Sequence, residues 1–210
     1  MEPMHIDVYF DPICPWCYIG KRRLQRALGQ RPSISAELRW RPFMLNPDMP
    51  QDGMERTAYL LHKLGSEARV RRLLGALEVT GQSEEITFNF DTIAQTPNTV
   101  DAHRLVRYAS DMGQAEPVVE ALFRGFFVEG RDIGAFDELS AIGRSVGLDG
   151  GALDAYLDST TDSEWVLDQN SIAHRLGVNG VPCFLLNDEL ALQGAQPPEI
   201  LARLLDAAAA

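Results

Sequence analysis

The chain has 210 residues, 45% of them hydrophobic and 23% charged, which is enough to bury a full core as one domain or as one domain carrying an insertion. Its 19 Lys/Arg stand against 30 Asp/Glu, a formal charge of −11 that opposes contact with a phosphate backbone or an anionic lipid surface. Nucleic acid and membrane are therefore not expected partners. The opening Met1-Glu2-Pro3-Met4-His5-Ile6-Asp7-Val8 has neither a basic start nor a long apolar run, so a cytoplasmic location is expected.

Residues 5–10 alternate, with Ile6, Val8 and Phe10 on one face, and read as a strand that Asp11-Pro12 stops. After Cys14-Pro15, the positions of Cys17, Gly20, Leu24, Ala27 and Leu28 recur at helical spacing until Gly29 and Pro32. A second strand is predicted over 34–41. From 54 to about 161 the pattern is helical throughout, predicting helices near 54–64, 66–79, 98–112, 115–128, 135–146 and 150–158 and almost no strand. A further helix carries Trp165, Ile172, Ala173 and Leu176. Strands 184–186 and 190–193 flank a turn at Asn187-Asp188-Glu189, and a last helix starts at Pro197-Pro198-Glu199, running to an alanine tail at 207–210. The order β-α-β, helical block, α-β-β-α divides the chain into 1–45 with 163–210 and a helical insertion over 46–162.

Three cysteines cannot make a disulfide scaffold, but two of them form Cys14-Pro15-Trp16-Cys17. This spacing serves either redox chemistry or half of a zinc site. Structural zinc takes four ligands, and no second Cys-x-x-Cys or His-x₃₋₅-His accompanies the pair. Cys14 lies where a strand gives way to a helix with Pro15 at its first position, so the free amides and positive dipole end should point at its sulfur and favour the thiolate. Cys17, three residues on and in the apolar stripe, is expected to be the more buried thiol. Cys14 would attack a substrate disulfide and Cys17 would resolve the mixed disulfide. Val181-Pro182 precedes a strand, where a cis bond would leave the backbone of Val181 open to an extended substrate beside Cys14; a trans proline opening an edge strand is the alternative.

Cys14-Pro15-Trp16-Cys17-Tyr18-Ile19-Gly20-Lys21, Pro97-Asn98-Thr99 with Ala102-His103-Arg104-Leu105, Gly177-Val178 with Gly180-Val181-Pro182, and Gly194-Ala195-Gln196-Pro197-Pro198-Glu199 together resemble the cytoplasmic DsbA-like family. Within it they are most similar to the branch named for a polyketide-biosynthesis dithiol–disulfide isomerase. The resemblance implies an α/β thioredoxin-like fold split by an all-helical insertion, and thiol–disulfide oxidoreductase or isomerase activity. Cys14 and Cys17 match as the catalytic pair, Pro182 as the cis-proline, and Val181 as the loop residue facing substrate. The 98–105 stretch matches as a signature with no chemical role attached.

Related 2-hydroxychromene-2-carboxylate isomerases and kappa-class glutathione transferases typically have serine at the position of Cys14, so the retained pair favours disulfide exchange over glutathione-dependent isomerisation of a small aromatic or polyketide-like substrate. A client-binding chaperone is a third reading. No organic cofactor or metal is expected; protein or small-molecule thiols and disulfides are the expected partners, with glutathione open as a co-substrate and a homodimer also open. Trp16, standing where the periplasmic relatives carry histidine, suggests a weaker oxidant and, with Pro15, a substrate contact. Asp11 reads as a turn or cap residue, with a proton relay to Cys17 as the alternative. Cys183 reads as a buried apolar cysteine, with a third redox partner or soft metal ligand as the alternative, and His103 as a packing histidine rather than an acid–base group.

Overall fold

The computed structural model describes residues 3–209; Met1, Glu2 and Ala210, at the ends of the N-terminal segment and alanine tail read above, lie outside them. The chain forms two compact units, Met1–Leu45 with Asp168–Ala210, and Asn46–Leu167.

The first unit is built on strand β1 (Met4–Phe10), helix α1 (Pro15–Gly29) and strand β2 (Ala36–Pro42). β1 and β2 run parallel from Met4↔Ala36 to Phe10↔Pro42, which obliges the chain to cross over through α1. The chain returns to this unit within helix α8 (Ser163–Arg175), followed by strands β5 (Cys183–Leu186) and β6 (Leu190–Gln193) and helix α9 (Pro198–Ala208). Numbering the strands in chain order, the sheet reads β2-β1-β5-β6, with β5 antiparallel to both β1 and β6. β1 thus lies inside the sheet. Asp7 and Tyr9 are buried along with Ile6, Val8 and Phe10, so the predicted alternation describes residue type but not exposure. Asp7 is accommodated by accepting a hydrogen bond from Arg41 Nε at 2.8 Å.

Two local devices set the second half of this unit. Past α8, Gly177 takes φ +82°, its N–H donates to His174 and that of Val178 donates to Ala173 O, the double closure that ends a helix when a left-handed residue follows it. Between β5 and β6, Asn187 and Asp188 take φ of 50° and 60°, the left-handed pair that a tight hairpin turn demands.

The second unit contains the two-residue strands β3 (Met54–Glu55) and β4 (Gln95–Thr96), and helices α2 (Arg56–Leu64), α3 (Glu67–Gln82), α4 (Val100–Ser110), α5 (Ala115–Phe127), α6 (Phe136–Ser145) and α7 (Gly150–Asp158). The β3–β4 ribbon, paired Met54↔Thr96 and Glu55↔Gln95, departs from the expected absence of strand. Two residues are too few to show an alternation, and the partners lie far apart in sequence. The core centres on α5, whose Val118, Val119, Leu122, Phe123, Phe126 and Phe127 are all fully buried. Burying a side chain of this size contributes about 1.5–3 kcal/mol, which makes this helix the main apolar anchor of the unit.

Candidate active site

β1 ends at Phe10, and the next residues turn the chain into α1. Asp11 is 0% exposed; its carboxylate accepts from the N–H of Ile13 (3.2 Å) and of Leu45 (2.8 Å). Its carbonyl accepts from Cys14 N at 2.9 Å. The side chain therefore ties the end of β1 to the segment after β2, as a turn residue should.

Cys14 occupies the N-cap of α1 with extended backbone, and Pro15 opens the helix. Both thiols of the Cys-x-x-Cys are free and buried, Cys14 4% and Cys17 2% exposed, so the expected difference in burial between them is slight. The helix amides were expected to point at the Cys14 sulfur, yet its side chain accepts no capping hydrogen bond. It turns instead toward the loop before β5, where the thiol donates to Val181 O at 3.6 Å. The sulfur still lies at the positive end of α1.

Burial pushes the Cys17 thiol well above its ordinary range, reinforced by its hydrogen bond to Cys14 and the negative field of Cys14 and Asp11; only a contact with the Asp11 backbone works the other way. Trp16, between the cysteines, is 37% exposed, so its apolar ring meets solvent beside two largely buried cysteines.

The Val181–Pro182 peptide bond is cis, and among the described residues the Val181 N–H makes no hydrogen bond. Two glycines position this loop, one from the dithiol helix and one from the segment after β6. A Cβ at Gly20 would come within 2.7 Å of Pro182 Cγ and 3.3 Å of the Phe184 ring, so only glycine lets α1 approach Pro182 this closely. Gly194, at φ +83°, donates its N–H to Pro182 O at 2.7 Å. Both lie within the motifs that carry the family resemblance, where the sequence alone gives neither a site role. Their signal was a glycine inside a helix and a glycine after a strand, each a mark of close backbone approach.

Cys183 follows Pro182 but packs with Tyr9, Phe43, Ala173 and Val178, where burial raises its thiol to about 11. His103 is buried within α4. The signature around it is structural. Asn98 donates to Met49 O at 2.8 Å and accepts from Val100 N at 3.0 Å. Arg104 ties together the last turn of α7 and the residues after it, donating to the carbonyls of Tyr156, Leu157, Ser159 and Thr161 and to the Asp101 carboxylate. Among the described residues, no three His, Cys, Asp or Glu side chains gather to hold a metal ion, and no helix is long and apolar enough to cross a membrane.

A four-stranded sheet of this order, opened by a strand and a helix that begins on a dithiol and interrupted by a helical insertion, is a thioredoxin fold of the DsbA kind. The sequence matches the DSBA-like thioredoxin domain over residues 5–206, and the chain belongs to that family. It is similar to a probable DsbA oxidoreductase from Streptomyces coelicolor, 27% identical over 98% of this chain and 89% of that one, with a TM-score of 0.86. It shares its fold with a 2-hydroxychromene-2-carboxylate isomerase, 22% identical over 97% and 93% of the two chains at a TM-score of 0.68. It also shares it with the cytosolic disulfide reductase DsbM from Pseudomonas aeruginosa, determined with GSH, 21% identical over 98% and 96% at a TM-score of 0.62.

Proposed function

We propose that the protein is a thiol–disulfide oxidoreductase or isomerase that exchanges disulfides through Cys14 and Cys17. The observation that carries this reading is the junction of the two thiols with the 181–182 loop: Cys14 donates to Val181 O, Cys17 is hydrogen-bonded to Cys14, and the Val181 N–H is left open. Cys14, as thiolate, attacks one sulfur of a substrate disulfide and releases the other as a thiolate that takes up a proton. Cys17 then loses its proton and attacks the Cys14 sulfur, freeing the second substrate thiol and leaving a Cys14–Cys17 disulfide. Run backwards, the same steps oxidise a dithiol substrate.

An extended substrate would pair with the Val181 backbone as an added strand and lie across Pro182, with Pro15 and the half-exposed ring of Trp16 as its apolar contacts. Glutathione is the reductant that this chemistry would accept most simply in a reducing cytoplasm, and the likeness to a fold determined with GSH supports testing it first. Retention of both cysteines supports exchange over glutathione-dependent isomerisation of a small molecule, and over a chaperone with an incidental dithiol.

Insulin reduction and scrambled-ribonuclease refolding test the proposal, with Cys14→Ser as control. Both activities fall to background in that variant. Activity unaffected by the change would overturn the redox assignment and return the site to one of the other two readings.

A further inference from the structure

The helical unit contains a second buried arginine, and its surroundings are unlike those of Arg104. Arg56, the first residue of α2, is 8% exposed. A guanidinium carries five N–H donors and always seeks to use them when buried. Here a donor on one terminal nitrogen reaches Thr96 Oγ1 at 3.2 Å, while the buried Nε–H has no acceptor. Among the described residues no carboxylate pairs with it. The Phe126 and Tyr59 rings approach its carbon at 5.7 and 6.0 Å, which supplies a weak cation–π attraction and no hydrogen bond. A buried charge left this way is costly unless something else completes it.

Arg56 lines a cavity of about 300 Å³, within the range of small-ligand sites. Leu60, Val70, Leu74, Phe90 and Ile93 form apolar walls to the same cavity, and Glu67 and Asp91 are exposed residues on its lining. Arg71 lines the cavity too and lies 4.0 Å from Glu67, so those two charges offset each other, whereas Asp91 adds a negative charge to the lining. A multiply charged anion such as phosphate meets that repulsion and finds little polar lining. A single carboxylate on an apolar tail satisfies both ends. We infer that the cavity beneath α2 and α3 is a binding site for a small apolar monocarboxylate, its carboxylate held by Arg56 and its tail by the Leu60, Val70, Leu74 and Ile93 side chains. This site is separate from the dithiol and does not depend on the redox reading.

Calorimetric titration of the full chain with octanoate and with its neutral isostere octanamide tests the assignment. Octanoate binds at least about tenfold more tightly than octanamide, Arg56→Gln removes that preference, and Leu74→Trp, which fills the cavity, weakens octanoate by about tenfold or more. The Cys14→Ser, Cys17→Ser double variant binds octanoate as the parent does. Equal affinity for acid and amide, or no octanoate binding at about 10 mM, overturns the proposal and leaves a hydrated cavity. So does unchanged octanoate affinity in a folded Arg56→Gln. Should that variant fail to fold, the comparison of acid with amide on the unaltered protein decides.

Discussion

The neighbourhoods of Arg104 and Arg56 lie in the same helical unit and treat the same buried guanidinium in opposite ways. Arg104, 2% exposed, meets four backbone carbonyls and a carboxylate, and its carbon stacks on the Tyr156 ring at 5.0 Å. Arg56 meets one hydroxyl and a cavity. A saturated buried cation is a structural staple, because every donor already has its acceptor and nothing further can bind; a nearly bare one is poised for a ligand. The dithiol follows the second pattern. Around Cys14 and Cys17 the structure leaves a backbone N–H open at Val181 and an aromatic ring exposed at Trp16, whereas Cys183, nearby in the fold, is sealed in an apolar cluster.

The contrast between open and sealed groups can be broken at several points. The largest effect belongs to the dithiol: on the proposed mechanism Cys17→Ser removes the thiol that resolves the mixed disulfide, so turnover is lost and a Cys14 mixed disulfide accumulates, visible by intact-protein mass spectrometry. If turnover persists without that adduct, the division of roles is wrong. Next comes the staple. Arg104→Met strips the acceptors at and after the end of α7 of their donors and leaves Asp101 without its partner, lowering stability by about 3–5 kcal/mol in urea unfolding while the rate per folded molecule stays the same.

Gly20→Ala tests the close approach of α1 to Pro182. Alanine is favoured over glycine in a helix by about 1 kcal/mol, but forcing a methyl against Pro182 costs about 1–3 kcal/mol, so the net change runs from about zero to about 2 kcal/mol of destabilisation, and exchange slows. Equal stability and rate would mean that the loop is not held by that contact.

A smaller effect appears with pH. Cys17 and Cys183 both have raised thiols in the folded chain, Cys17 mainly through burial and Cys183 to about 11 through burial alone. A thiol that keeps its proton when folded and loses it when unfolded stabilises the fold fully below the ordinary thiol range of about 8.5, and that stabilisation is lost as pH climbs through the folded values. The reduced protein should therefore lose stability above pH ~8.5 at up to about 1.4 kcal/mol per pH unit for each such thiol. Cys183→Ala removes one thiol's share of the slope, as denaturant titrations between those pH values would reveal. The smallest effect is on the surface, where Arg31 binds Asp206 through two hydrogen bonds of 2.6 and 2.8 Å in open solvent. Asp206→Asn should leave the melting temperature unchanged within error, since water replaces what is lost.

Much of this was legible in the chain. The thioredoxin-like order of elements follows from period-2 and period-3.6 patterns at Ile6, Val8 and Phe10 and along α1, α4 and α5, and the dithiol at the strand-to-helix junction follows from Cys14-Pro15. The β3–β4 ribbon was not legible, because its partners are two residues long and distant. Nor were the duties of Gly20 and Gly194, since a missing side chain says that something comes close without saying what.

Apart from the β3–β4 ribbon, local sequence determined which segments form strands and helices and where the cysteine pair begins, because backbone propensity, turn chemistry and apolar spacing act over a few residues. Only the tertiary structure decided what each buried polar group meets: that the Cys14 thiol turns to Val181 O, that Arg104 ties the end of α7 to the residues after it, and that Arg56 lines a cavity. The physical reason is that hydrogen-bond satisfaction is a property of distant chain segments brought together, so two arginines of one helical unit can end with every donor filled or almost none.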